Sequence, residues 1–179
     1  EDVKVPLDAL VGEENGGWRL AMAAASFERG TYFIPRQVRF AQEIKALKTL
    51  AAETPNADGG TALDCPHLRR DMARLSVDSH VLKLKTFRAL TNALRGGPPG
   101  PEGSSTKLHW SESHQKLLSM ATEILSERAL SGPEPDSRDK ASAGWVRDFL
   151  WTRAETILAG TSEVQRNILA EQLLGLPKG

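Results

Sequence analysis

Apolar positions recur at helical spacing through most of the chain. From Gly17 onward, Trp18, Leu20, Met22, Ala25, Phe27, Tyr32 and Phe33 supply apolar positions over several turns. Pro35 falls inside that run. A proline removes one backbone donor and crowds the preceding turn, so the pattern predicts a kink near residues 31–35, with the helix resuming through Val38 to about Ala52. The stretch ETPNADGGTALDC has no sustained period and two turn pairs, which predicts a loop with freedom to move. A second helix begins at Pro66, a residue suited to a first turn. It carries two stripes, one of Leu68, Met72, Leu75, Leu82 and Ala89 and one of Val77, Val81 and Leu84, so it should be covered on two sides.

RGGPPGPEGSS, residues 95–105, cannot continue a helix and reads as a hinge. Leu108, Trp110, Leu117, Leu118, Ala121, Ile124 and Leu125 then mark a third helix, and after the loop SGPEPDSRDKASAG a fourth runs from about Trp145 to Leu158. Gly160 breaks that pattern. Thr161 and Ser162 can cap a new helix, with Glu163 in its first turn near the positive end of the helix dipole, and Val164, Ile168, Leu169, Leu173 and Leu174 continue it until Gly175 and Pro177. At the other end, Val3 and Val5 alternate with Asp2 and Lys4 before Pro6 and Gly12, as at the end of a strand and a turn. The expected fold is all-α: an antiparallel bundle of four main helices plus a C-terminal helix, with a short N-terminal extended segment.

Composition narrows the function. At 179 residues the chain has the length of one domain and can bury a core without staples. Lys and Arg number 23, matched by 23 Asp and Glu, so no charge excess points to nucleic acid or an anionic membrane. The single cysteine, Cys65, fits a reducing cytoplasm and reads as structural. No apolar run approaches the roughly 20 residues of a membrane span, and EDVKVPLDAL lacks the basic start and apolar middle of a signal peptide. A start on Glu1 rather than methionine suggests a piece of something longer. His67, His80, His109 and His114 share no ligand spacing with Cys65 or the carboxylates and read as ordinary core or surface residues, so no metal site is expected. The four tryptophans read as core or subunit interface, and Arg69-Arg70 as a solvated face.

The C-terminal block GTSEVQRNILAEQLLGLP, with its AGTSE-x-x-R turn, resembles the corresponding junction of flavin-dependent acyl-CoA dehydrogenases. DVKVPLDALVGEENGGW resembles the exit of that family's middle β-domain, which makes residues 1–13 a remnant of the β-domain and residues 14–179 the C-terminal helical domain. The resemblance implies α,β-dehydrogenation of an acyl-CoA with FAD as cofactor. In such a reaction one carboxylate takes a proton from the carbon beside the thioester while the next carbon gives a hydride to the flavin. Many members place that base just before the GTSE turn, where this chain has Ala159. Isovaleryl-like and long-chain-like members place it on the first helix of the domain, immediately before an arginine. Glu28-Arg29 matches that arrangement, so Glu28 is the candidate base, with Phe27, Arg29 and Gly160 as candidate substrate contacts. A Glu-Arg pair on a helix is more commonly a solvated face.

Thr161, Ser162 and Glu163 match positions that contact FAD in relatives. Two other flavin signatures are missing: AETPNADGGTALDCPHLRR stands where R-x-x-F-G is usual, and SERALSGPEPDSRDKASAG where Gly-Gly-x-Gly is usual. Such losses fit either a homotetramer with different local contacts or an α2β2 heterotetramer with a second dehydrogenase subunit, as in steroid side-chain enzymes. A pairing subunit with no chemistry of its own and a bundle without flavin ancestry are the competing readings. Glu28 stands against the first and the GTSE block against the second.

Overall fold

The computed structural model describes residues 2–97, 100–131 and 140–178, and the backbone alone for residues 26–31, 131, 140 and 141. Six α-helices account for the bundle: α1 (Gly17–Thr31), α2 (Phe33–Glu53), α3 (Pro66–Leu94), α4 (Glu102–Leu125), α5 (Lys140–Glu155) and α6 (Ser162–Ile168). The expected all-α architecture is what the chain adopts, and the expected kinked first helix is the α1–α2 pair. Tyr32 separates the two while keeping right-handed helical dihedrals, φ −56° and ψ −30°. Pro35 thereby lies in the first turn of α2, where its missing N–H removes no intrahelical bond.

Cross-helix contacts give the directions. Lys85 reaches Ser105 and Asp78 reaches His109 and Ser113, so α3 and α4 run antiparallel. Phe33 meets Trp110 and Phe40 meets His114, which makes α2 parallel to α4. Arg36 faces Glu155 and Arg39 faces Asp148, which makes α5 antiparallel to α2. The result is an up-down-up-down bundle in which α4 touches α1, α2, α3, α5 and α6. The core is Phe33, Phe40, Ile44, Leu47 and Ala51 of α2, Leu68, Met72, Leu75 and Leu82 of α3, and Trp110, Leu117, Leu118, Ala121 and Ile124 of α4.

Several expectations change. The N-terminal segment has no strand partner among the described residues; a 3-10 turn forms at Leu7–Ala9, and Val3, Val5, Leu7 and Leu10 are exposed. Residues 54–65 are pinned rather than loose. Asn56 Oδ1 accepts from the Asp58 and Gly60 amides at 3.0 and 2.8 Å, and Asp64 Oδ2 accepts from the Thr61 amide at 2.8 Å. The hinge is shorter than its sequence, since α4 already begins at Glu102. The loop expected before α5 falls largely on residues 132–139, outside the described residues, and α5 begins by Lys140, ahead of Trp145.

Among the tryptophans only Trp110 is buried, while Trp18 and Trp151 are exposed. The second α3 stripe is open: Val77 and Leu84 are exposed, continuing into Phe87, Leu90 and Leu94. Val164, Leu173 and Leu174 are likewise exposed, and α6 buries Ser162 and Gln165 instead.

The two faces of α3 should respond differently to truncation. Leu82→Ala, at a fully buried position, should cost the 179-residue chain about 2–5 kcal/mol in urea unfolding. Leu84→Ala should stay within about 0.5 kcal/mol. Equal losses would contradict the assignment of faces.

Candidate functional site

The turn after α5 is built on two consecutive left-handed residues, Ala159 at φ +55° and Gly160 at φ +94°. Their carbonyls point into the bundle. Lys107 Nζ donates to Gly160 O at 2.7 Å, and Gln165 Nε2 donates to Ala159 O at 2.8 Å. A Cβ at position 160 would come within 2.5 Å of Gln165 Nε2, so glycine is required for space as well as for φ. Thr161 then returns to extended dihedrals, and its hydroxyl accepts from the Val164 amide at 3.3 Å, the cap expected from sequence. Gly160, Thr161, Ser162 and Glu163 are therefore brought together.

Thr161, Ser162 and Glu163 border an open groove of about 410 Å³ that also includes Gln115, Thr156 and the Glu112–Arg166 ion pair. Ser162 is buried, and among the described residues its hydroxyl has no hydrogen-bond partner. Glu163 is exposed; bonds from its own amide and from Thr161 hold its carboxyl below the usual carboxylate range. Hydroxyls and an orphaned buried oxygen fit the ribosyl portion of FAD, whereas Glu112 and Glu163 outnumber Arg166 and do not suit a phosphate, and the volume suits a portion rather than the whole cofactor. Phe27, Glu28 and Arg29 fall on the helical backbone of α1, and their side chains lie outside the described residues.

A second polar assembly was not expected. His114 of α4, read from sequence as ordinary, is buried between two carboxylates. Its Nδ1 donates to Glu155 Oε2 at 2.7 Å, and its Nε2 lies 2.9 Å from Glu43 Oε2 as an ion pair rather than a well-aligned hydrogen bond. Burial alone would lower the imidazole pKa. The bonds and charges of Glu155 and Glu43 outweigh burial and push it up to about 9. Burial works to raise the Glu43 carboxyl, but His114 and Arg39 together leave it below the usual range. Arg36, stacked over Trp110 at 4.3 Å from the ring centroid, and Arg39, paired with Asp148, complete a cavity of about 110 Å³ with three cations facing three carboxylates.

Nothing in the spacing of Glu43, His114 and Glu155 marks them as partners, because three different helices supply them. The only available signal was polarity at positions in register with apolar neighbours, such as His114 between Trp110 and Leu117.

Elsewhere Cys65 packs against the core, its sulfur 3.1 Å from His67 Nδ1, and His67 Nε2 lies 2.9 Å from Glu123. Among the described residues no group of three or more His, Cys, Asp or Glu could hold a metal ion, and no helix is long and apolar enough to cross a membrane.

A helical bundle ending in a glycine-pinned GTSE turn is the architecture of one dehydrogenase domain. Residues 15–174 match the model of the acyl-CoA dehydrogenase C-terminal domain, and the chain belongs to that family. It is 34% identical over 182 residues to the acyl-CoA dehydrogenase IpdE1 of Mycobacterium tuberculosis, covering 99% of this chain and 43% of that protein. The fold superposes on the ChsE4-ChsE5 complex of Mycobacterium tuberculosis with a TM-score of 0.77 and 26% identity, over 99% of this chain and 45% of the other. The Tcur3481-Tcur3483 steroid ACAD gives 0.77 and 26%, over 100% and 44%. The chain thus spans less than half the length of these relatives.

The His114 cluster should be visible in the pH dependence of stability. With a folded pKa raised from 6.5 to about 9, its contribution is fully present below about pH 6.5 and is lost as pH rises through 9. Unfolding free energy should fall by on the order of 3 kcal/mol across that window. His114→Gln should flatten the profile. Superimposable slopes for the two proteins between about pH 6.5 and 9.5 would exclude the ion-paired imidazolium.

Proposed function

We propose that this chain is the C-terminal helical domain of an FAD-dependent acyl-CoA dehydrogenase that works with a second dehydrogenase subunit, residues 1–13 being the tail of a middle β-domain. The substrate is an acyl-CoA thioester of a fatty acid or a steroid side chain, and the likeness to a steroid ACAD supports a steroid acyl group. A cytoplasmic enzyme of α2β2 composition is the assembly that fits this reading. The observation that carries it is the family turn with alanine, not a carboxylate, at position 159. Without a base there, the candidate is Glu28 on α1.

In this reaction FAD, when bound, accepts the hydride from the β-carbon. Glu28 takes the α-proton. A carboxylate that an acyl chain covers loses hydration, which raises its proton affinity and makes it a better base. Arg29 and Phe27 orient the thioester on the same helix, Gly160 lets the substrate approach the turn, and Thr161, Ser162 and Glu163 meet the ribosyl part of the cofactor. The exposed apolar face of α3, from Val77 to Leu94, is where we place the partner subunit.

In the full-length protein assembled with its partner, Glu28→Gln should retain bound flavin and acyl-CoA affinity, while turnover falls by about 10²–10⁴. Ala159→Glu in that background should restore part of the rate. Position 159 already holds a side chain at φ +55°, so the exchange introduces no new kind of backbone strain. Full turnover in Glu28→Gln would move the base to the partner and leave this chain as a pairing subunit.

A further inference from the structure

We propose that Lys107 is a positioning residue for the cofactor: from inside the bundle its ammonium holds the Gly160 carbonyl, so that the turn presents Thr161, Ser162 and Glu163 toward FAD. This rests on the reading that the turn contacts FAD. Lys107 sits in the second turn of α4, is 1% exposed, and places Nζ 2.7 Å from Gly160 O. Burying an ammonium is costly, and a leucine or methionine of similar volume would serve packing at least as well. Among the described contacts of this ammonium is one to the main chain of the turn.

The turn needs such a hold. Two successive left-handed residues are an unfavourable start, one of them carries a Cβ, and the segment joins two helices that do not continue each other. Lys107 and Gln165 grip it from behind: Gln165 is fully buried and donates to Ala159 O and also to Gly160 O at 3.2 Å. With both carbonyls fixed inward, the side chains of the next three residues border the groove. Lys107 also acts across the turn, its charge favouring the ionised form of Glu163, which lies on the groove side. One buried cation thus helps to hold the shape of the surface proposed to meet the cofactor.

The test uses the full-length enzyme with its partner subunit, stripped of flavin and titrated with FAD, comparing wild type with Lys107→Met, Lys107→Gln and Thr161→Val. Thermal unfolding of the apo-proteins and hydrogen exchange at the Ser162 and Val164 amides accompany the titration. Lys107→Met should remain folded, because Gln165 Nε2 still donates to Gly160 O, with a modest fall in unfolding temperature from the lost hydrogen bond. It should nevertheless exchange faster at the turn and bind FAD about tenfold more weakly, since a turn populated only part of the time reduces apparent affinity by that fraction. Lys107→Gln, shorter and uncharged, should weaken FAD in the same direction and serves alone if the methionine variant does not fold.

Wild-type FAD affinity in folded Lys107 variants, alongside weakened binding in Thr161→Val, would overturn the role of Lys107 and leave the turn as a cofactor contact. Unchanged affinity in all three would overturn the cofactor reading itself. A loss of FAD affinity in Lys107→Met that only tracks a loss of apo-protein stability, with turn exchange unaltered, would reduce Lys107 to a structural residue.

Discussion

Two buried cations on one helix organise this bundle. Lys107 and His114 stand seven residues apart on α4, two helical turns, so they project from nearly the same side. Neither can remain charged in an apolar interior without a partner within hydrogen-bonding distance. Each partner comes from a different part of the chain: His114 draws Glu43 from α2 and Glu155 from the end of α5, and Lys107 draws the Gly160 carbonyl from the turn that follows. Apolar packing is permissive about sliding and rotation, whereas these contacts tolerate little of either. They fix where α5 ends relative to α2 and therefore where the GTSE turn emerges.

The surrounding sequence makes room for this. α4 buries Ser104, Thr106, Ser111 and Ser113 along with its leucines, and such small side chains allow neighbouring helices close approach where a heptad of leucines would hold them apart. Arg36 and Arg39 then close the cavity on one flank, one over an aromatic face and the other across to Asp148. The charge pattern around His114 is balanced, so the cluster resists a change of protonation on any single member. Its effect is on alignment of helices, not on the chemistry proposed for the turn and for α1.

Legibility followed the kind of force involved. The helices, the Pro35 break, the Pro66 start and the Thr161 cap are local consequences of backbone geometry, and each is visible in a window of a few residues. The first α3 stripe was readable for the same reason, since Leu68, Met72, Leu75 and Leu82 repeat at helical spacing. The buried polar network was not. In sequence His114 reads as an ordinary core or surface histidine and nothing singles out Lys107; the approach of α2, α5 and the turn brings them their partners. Residues 54–65 failed in the opposite sense: lacking periodicity, they read as loose, yet Asn56 and Asp64 close a compact loop through side-chain to backbone bonds that period analysis ignores. The resemblance supplied the role proposed for the turn, and periodicity supplied none of it.

The mode of anchoring also explains how this family's base could change position without loss of the scaffold. At Ala159 and Gly160 the bundle grips carbonyl oxygens, not side chains. Gly160 is constrained by φ and by the proximity of Gln165, but at Ala159 no described hydrogen bond involves the side chain, and any residue able to tolerate φ +55° keeps the same main-chain contacts. A carboxylate at 159 is therefore a chemical option and not a structural requirement. Once another carboxylate, such as one on α1, can reach the α-carbon of the substrate, alanine at 159 leaves the turn, its cap and its groove in place. The separation of scaffold from base is a property of how Lys107 and Gln165 hold the turn, and it is what allows a chain with Ala159 to retain the turn, its cap and the groove beside it.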